Sequence, residues 1–159
     1  MKQKGIDKLF LLMYTDLMTG AYNRTAYEEY LSRQRRKPDM RGMTVITVRV
    51  NGVHQINESY GRHTGDEAIK EIAKTLIETI GEKADIYRIS GTEFVCIASG
   101  SIGGYISGFK DAIGFRNAAL PYELSVSLGC AAYEDGRSID ELIIESDRMI
   151  INNRNKVVM

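Results

Sequence analysis

The sequence predicts an α+β domain in which helices cover a sheet that carries an antiparallel hairpin. Three observations predict it. Residues 43–50, MTVITVRV, are apolar and β-branched, as a buried strand requires. Residues 87–97, YRISGTEFVCI, read as two apolar strands reversed by a Ser-Gly-Thr tip. Around them apolar residues recur at helical spacing, most clearly Ala68, Ile69, Ile72, Ala73, Leu76, Ile77 and Ile80. Helices and strands in this mixed order suit an α+β arrangement.

Each element has its own signal. Ile6, Leu9, Phe10, Met13 and Leu17 share helical spacing and predict an amphipathic opening helix, broken at Thr19-Gly20. Asn23 is placed to cap a second helix carrying Tyr27, Tyr30 and Leu31, which stops before Pro38. The strand at 43–50 comes next, followed by a short helical piece at about 53–60 that ends at Gly61. The long helix through Ile80 closes at Gly81. The hairpin covers about 84–98. Residues 103–117 form a weaker helix, because Gly108 and Gly114 interrupt it. From 123 to 133 Leu124, Val126, Leu128 and Cys130 alternate with small residues, predicting a strand covered by helices on one side only. Ser138 and Glu141 form a capping box for a last helix through about 153.

A chain of 159 residues suits one domain, 1–159, with 1–18 as a lead-in helix continuing from an upstream signalling region. Lys+Arg and Asp+Glu are both 21, so no global field favours nucleic acid or an anionic membrane. The basic run Arg33, Arg35, Arg36 and Lys37 reads as a solvated helix end. Cys96 and Cys130 lie in apolar strand patterns without Cys-x-x-Cys spacing, which predicts free buried thiols in a reducing compartment. The run LFLLMY is too short for a membrane span and lacks a cleavage site, so a cytoplasmic domain without direct membrane contact is expected.

Three places carry site-like chemistry. Asn57 and Asp66 flank a helical bend; an amide and a carboxylate can together read the donors and acceptors of a guanine edge. Each also has a structural reading, Asn57 as a turn former and Asp66 as a helix cap. The hairpin tip Ser90-Gly91-Thr92-Glu93 offers one carboxylate, which alone makes a poor Mg²⁺ site. Arg154, near the end of the last helix, could reach a phosphate.

Taken in order, these segments resemble the GGDEF family, the diguanylate cyclases. TDLMTGAYNRTAYEEYL (15–31), INESYGRHTGDEAI (56–69), SGTEF (90–94) and LSVSLGCAAYEDGRSIDELIIESD (124–147) carry the resemblance. It implies a nucleotidyl-cyclase-like, palm-type (ferredoxin-like) mostly antiparallel sheet flanked by helices. Active members join two GTP molecules into cyclic di-GMP across a dimer, using Mg²⁺. Asn57 and Asp66 match the family's guanine-reading pair, and Arg154 keeps the charge of its phosphate-binding lysine. Val158 stands where a second basic residue is usual. The resemblance also implies a damaged metal cage. Arg49 and Asn51 replace two acids at the end of the first strand, and Thr92 replaces the third residue of the signature. Glu93 survives. Val53 and His54 stand in the phosphate loop for phenylalanine and lysine. Gly81 and Ala84 replace the Arg and Asp of the family's product-inhibition site, so feedback binding of cyclic di-GMP there is not expected.

The expected function is a catalytically inactive guanine-nucleotide sensor that needs no metal. Asn57 and Asp66 read the base; Arg49, Arg154 and the backbone at Gly52 and Val53 hold phosphates. The alternatives are a ligand-free dimerisation or protein-interaction module working through the first helix, and a weak residual cyclase using Glu93 and Mg²⁺. Nucleic acid is excluded as a partner by balanced charge and few aromatics.

Overall fold

The computed structural model describes the backbone of residues 2–152 and 157–158 and the side chains of residues 7–150. Strand β1 (Met43–Asn51) is the spine. It pairs antiparallel with β3 (Glu93–Ser99) on one side and β4 (Ser125–Ala132) on the other. β2 (Ala84–Ser90) pairs antiparallel with β3, and the short β5 (Val157–Val158) pairs parallel with β4. The sheet order is β2-β3-β1-β4-β5. β5 has no counterpart among the expected elements.

Among the described residues the helices are α1 (Lys2–Tyr14), α2 (Arg24–Arg36), α3 (Val53–Tyr60), α4 (Arg62–Ile80), α5 (Gly103–Asn117) and α6 (Ile139–Asn152). Strand periodicity sorts the β1 side chains to two cores. Ile46, Val48 and Val50 join Phe94, Leu128, Ile72, Leu76 and Phe109 under α3, α4 and α5. Val45 joins Val95, Tyr27, Leu31 and Leu142 under α2 and α6. Both faces of the sheet are therefore buried.

The caps on α2 and α6 match expectation. Asn23 Oδ1 accepts from Ala26 N at 3.0 Å, and Ser138 Oγ accepts from Glu141 N at 3.2 Å. Three expectations need correction. The strand at 125–132 is covered on both sides, because its small residues let α6 approach closely. A Cβ on Gly129 would collide with the Ser146 carbonyl. Asp66 does not cap α4, which begins at Arg62 with Gly61 as its cap. Asn57 likewise lies within α3 rather than in a turn.

The basic run is only partly solvated. Arg35 makes a two-point pair with Asp140, Nε–Oδ2 3.0 Å and Nη2–Oδ1 2.7 Å, joining α2 to α6. The guanidinium holds the Asp140 carboxyl below its usual range. Cys96 and Cys130 are free and buried, as predicted. Burial pushes their thiols up to about 12 and about 11. Among the described residues no helix is long and apolar enough to cross a membrane.

Candidate functional site

The site lies where β1 ends, the hairpin turns and α3 begins. Arg49 is the last charged residue of β1 and lies directly across from Glu93, the first residue of β3. Its side chain points to the α6 face, alternating with inward-facing Val48 and Val50. There the guanidinium meets two carboxylates: Nε is 3.8 Å from Glu93 Oε1, and Nη2 is 3.2 Å from Asp147 Oδ1 on α6. All three side chains are part-buried, 33% exposed for Arg49, 29% for Glu93 and 44% for Asp147. At about 3–4 Å and an effective dielectric near 20, each contact has a gross attraction of roughly 4–5 kcal/mol.

Asn51 follows on the same face. Its Nδ2 donates to Ser125 Oγ at 3.2 Å and to Ser127 Oγ at 3.0 Å on β4. Nearby, the hydroxyls of Thr47 and Ser146 are 2.7 Å apart, tying β1 to α6. A polar seam therefore runs along this end of β1, and its members are engaged with one another.

The hairpin tip is pinned from three sides. Thr92 O accepts from Val50 N at 2.8 Å, and Gly91 O accepts from Arg88 Nη2 at 2.9 Å. Arg24 Nη1 donates to Ile89 O at 2.9 Å, where the β2–β3 register shifts between Arg88 and Ser90. Arg88 Nη1 also pairs with Asp16 Oδ2 at 3.1 Å. Gly91 is not in the left-handed region and has open space at its Cβ position, so the turn itself does not require glycine.

These residues do not fit Mg²⁺. A hard dication needs several anionic oxygens around one point. Thr92 offers a hydroxyl and Asn51 an amide, while Glu93 already faces a guanidinium. Among the described residues no group of three or more His, Cys, Asp or Glu could hold a metal ion.

Gly52 opens α3 with φ 73°, a left-handed conformation that favours glycine. The first N–H groups of the helix, including that of Val53, precede its first closed turn, Ile56 N to Gly52 O at 3.1 Å. Val53 packs against the core and His54 pairs with Glu58 at 2.9 Å on the exposed face. Asn57 is pressed against α4 at Gly65, where an added Cβ would collide with the Asn57 Oδ1 and Cγ atoms. Asn57 Oδ1 is buried and has no hydrogen-bond partner among the described residues. Asp66 follows Gly65 on α4 and is half-buried. Gly81 and Ala84 line a cleft of about 370 Å³ with Leu11, Ile77 and Ile86. Arg154 lies outside the described residues, as does the side chain of Val158.

Asp147 and Gly65 were not singled out from the sequence. A helix-interior glycine, about 1 kcal/mol worse than alanine, was the available sign of close packing at Gly65. Asp147 had no local sign; only the fold brings it to Arg49.

An α+β domain with a central, mostly antiparallel sheet flanked by helices is the architecture of GGDEF domains. The model of that family, "Diguanylate cyclase, GGDEF domain", matches residues 13–157. The chain belongs to the GGDEF family, within cyclic di-GMP signalling. It is 24% identical over 159 residues to the bifunctional diguanylate cyclase/cyclic di-GMP phosphodiesterase MucR of Pseudomonas aeruginosa, covering 94% of this chain and 23% of MucR. It is 26% identical over 142 residues to the diguanylate cyclase DgcS of Shewanella oneidensis, covering 85% and 47%. The chain thus spans less than half the length of either relative. Its fold matches the coiled coil and GGDEF domain of DgcB from Caulobacter crescentus, solved with c-di-GMP. The TM-score is 0.80 at 18% identity, covering 98% of this chain and 90% of that one.

Proposed function

We propose that this chain is a catalytically inactive GGDEF domain that binds a guanine nucleotide without a divalent metal and serves as a regulatory module. The observation that carries the inactive reading is the Arg49 guanidinium held between Glu93 and Asp147. It supplies internally the positive charge that a metal would bring, and it leaves no carboxylate cage for one. Asn57 and Asp66 read the base. The buried Asn57 Oδ1 supports this, because it is an acceptor with no donor among the described residues. The α3 N–H groups at Gly52 and Val53 and the cation of Arg154 meet the phosphates. Arg49 contributes only by sharing its guanidinium between phosphate and the two carboxylates.

Calorimetric titration of GTP, once with Mg²⁺ and once with EDTA, tests this reading, alongside an assay for cyclic di-GMP. Similar affinity in both buffers and no product is expected. Binding that vanishes with EDTA, or product that disappears in Glu93→Ala, would restore the cyclase reading.

A second reading rests on α1. Leu9, Phe10, Leu11, Leu12 and Met13 are each more than half exposed. Such a run of exposed apolar residues on the second half of α1 supports a dimerisation or partner-binding module. Sedimentation of the chain would reveal self-association, which Leu9→Glu combined with Met13→Glu should abolish.

A further inference from the structure

A second cleft, of about 360 Å³, opens between α1, α2 and β2, away from the hairpin site. Four aromatic rings line it. Phe10 and Tyr14 come from α1, with ring centroids 4.9 Å apart. Tyr22 comes from the α1–α2 connection and Tyr87 from β2, with centroids 5.3 Å apart. Tyr22 is 39% exposed and Tyr87 is buried, so one ring forms the rim and the other the floor.

The polar groups give the cleft a sign. Glu29 and Asp85 line it, and so does Arg33. Two carboxylates and one guanidinium leave one negative charge uncompensated. Glu29 Oε1 accepts from Tyr14 OH at 3.1 Å, which orients that ring while leaving the carboxylate's other oxygen for a ligand.

We propose that this cleft binds a small organic monocation, a quaternary or fully substituted ammonium compound. Aromatic faces attract a cation within about 6 Å of the ring centroid, and neighbouring carboxylates balance its charge. A methylated ammonium suits the site better than a metal ion, because its apolar shell sheds water easily and packs on rings. The volume is right for a small molecule. Two of the rings belong to α1 and the other two lie beyond it, on the α1–α2 connection and β2, so an occupied cleft ties α1 to the body of the domain. The proposal is independent of the nucleotide reading.

Tetramethylammonium is the probe, titrated into the whole chain while tyrosine and phenylalanine ring resonances are followed. Expected are saturable shifts at Phe10, Tyr14, Tyr22 and Tyr87. Binding should weaken about tenfold in Asp85→Asn and about threefold to tenfold in Tyr22→Leu, as loss of one charge or one ring contact implies. Both positions have an exposed or half-exposed side, and circular dichroism checks that the variants fold. tert-Butanol, a neutral molecule of similar shape, should produce no saturable shift. An equal response to tert-butanol, shifts confined to other residues, or unchanged affinity in Asp85→Asn would overturn the proposal. A trimethyl-lysine peptide is the last arm; tighter binding of the peptide than of tetramethylammonium would overturn assignment to a free small molecule.

Discussion

Replacing Arg49 with methionine should destabilise the domain more than loss of an ordinary surface ion pair. Methionine keeps the apolar stem and removes the charge. The guanidinium lies 3.8 Å from Glu93 and 3.2 Å from Asp147, which gives roughly 4–5 kcal/mol of gross attraction for each contact. Most of that is cancelled. The three side chains are 29–44% exposed, so solvent screens them, and partial burial has already cost hydration. Exposed pairs yield about 0.2–1 kcal/mol, and breaking fully buried pairs costs about 3–5. Two half-screened contacts should therefore sum to about 1–2 kcal/mol. For a domain of this size that lowers Tm by roughly 2–8 °C. A double-mutant cycle with Asp147→Asn isolates the interaction and should give a coupling near 1 kcal/mol. Thermal melts of the four proteins at low salt supply the data, and 1 M salt should shrink the coupling. Additive effects of the two substitutions would refute the idea that Arg49 holds this end of the sheet together.

Three further outcomes follow from particular contacts. Gly65→Ala places a methyl group against the Asn57 amide and must turn it away; GTP affinity measured by calorimetry should fall about tenfold or more if Asn57 reads the base. Ser138→Ala removes the acceptor for Glu141 N and should cost about 1 kcal/mol in urea denaturation. The thiols of Cys96 and Cys130 are raised from 9.0 to about 12 and about 11. Above pH 9 the unfolded chain releases these protons before the folded one does, so stability should fall progressively as pH rises from about 9 to 11–12; urea midpoints across that range check it, and a flat profile would contradict it.

Much of the architecture was legible because local signals agreed. Asn23 and Ser138 cap the helices they precede, and the β-branched run at 43–50 is the central strand. The errors arose where a small residue has two meanings. Ser125, Ser127, Gly129 and Ala131 read as a solvent face, yet small side chains are also what a closely packed helix requires. Asp66 reads as a cap, but α4 starts a turn earlier at glycine-capped Arg62. Arg49, Asn51 and Thr92 were visible in the sequence at the strand end and the hairpin tip. Their partners were not, since Asp147 and Ser127 reach them only through strand pairing and helix packing. Charge at a position is a local fact, whereas whether that charge is spent depends on long-range contacts.

The β2 edge has a consequence for how the chain behaves in company. Tyr22 N donates to Ile86 O at 2.9 Å, and Arg88 N donates to Tyr22 O at 2.7 Å. One residue from the segment after α1 thus occupies the main-chain groups that an outer strand would offer to a neighbour. The hem is short, and it is anchored to α1 through Asn23 N and Nδ2, which donate to Tyr14 O and Met13 O. Peeling α1 from the body would lift that hem and expose a bare strand edge beside apolar Leu11 and Ile77. Seating of α1 therefore also guards the chain against edge-to-edge aggregation.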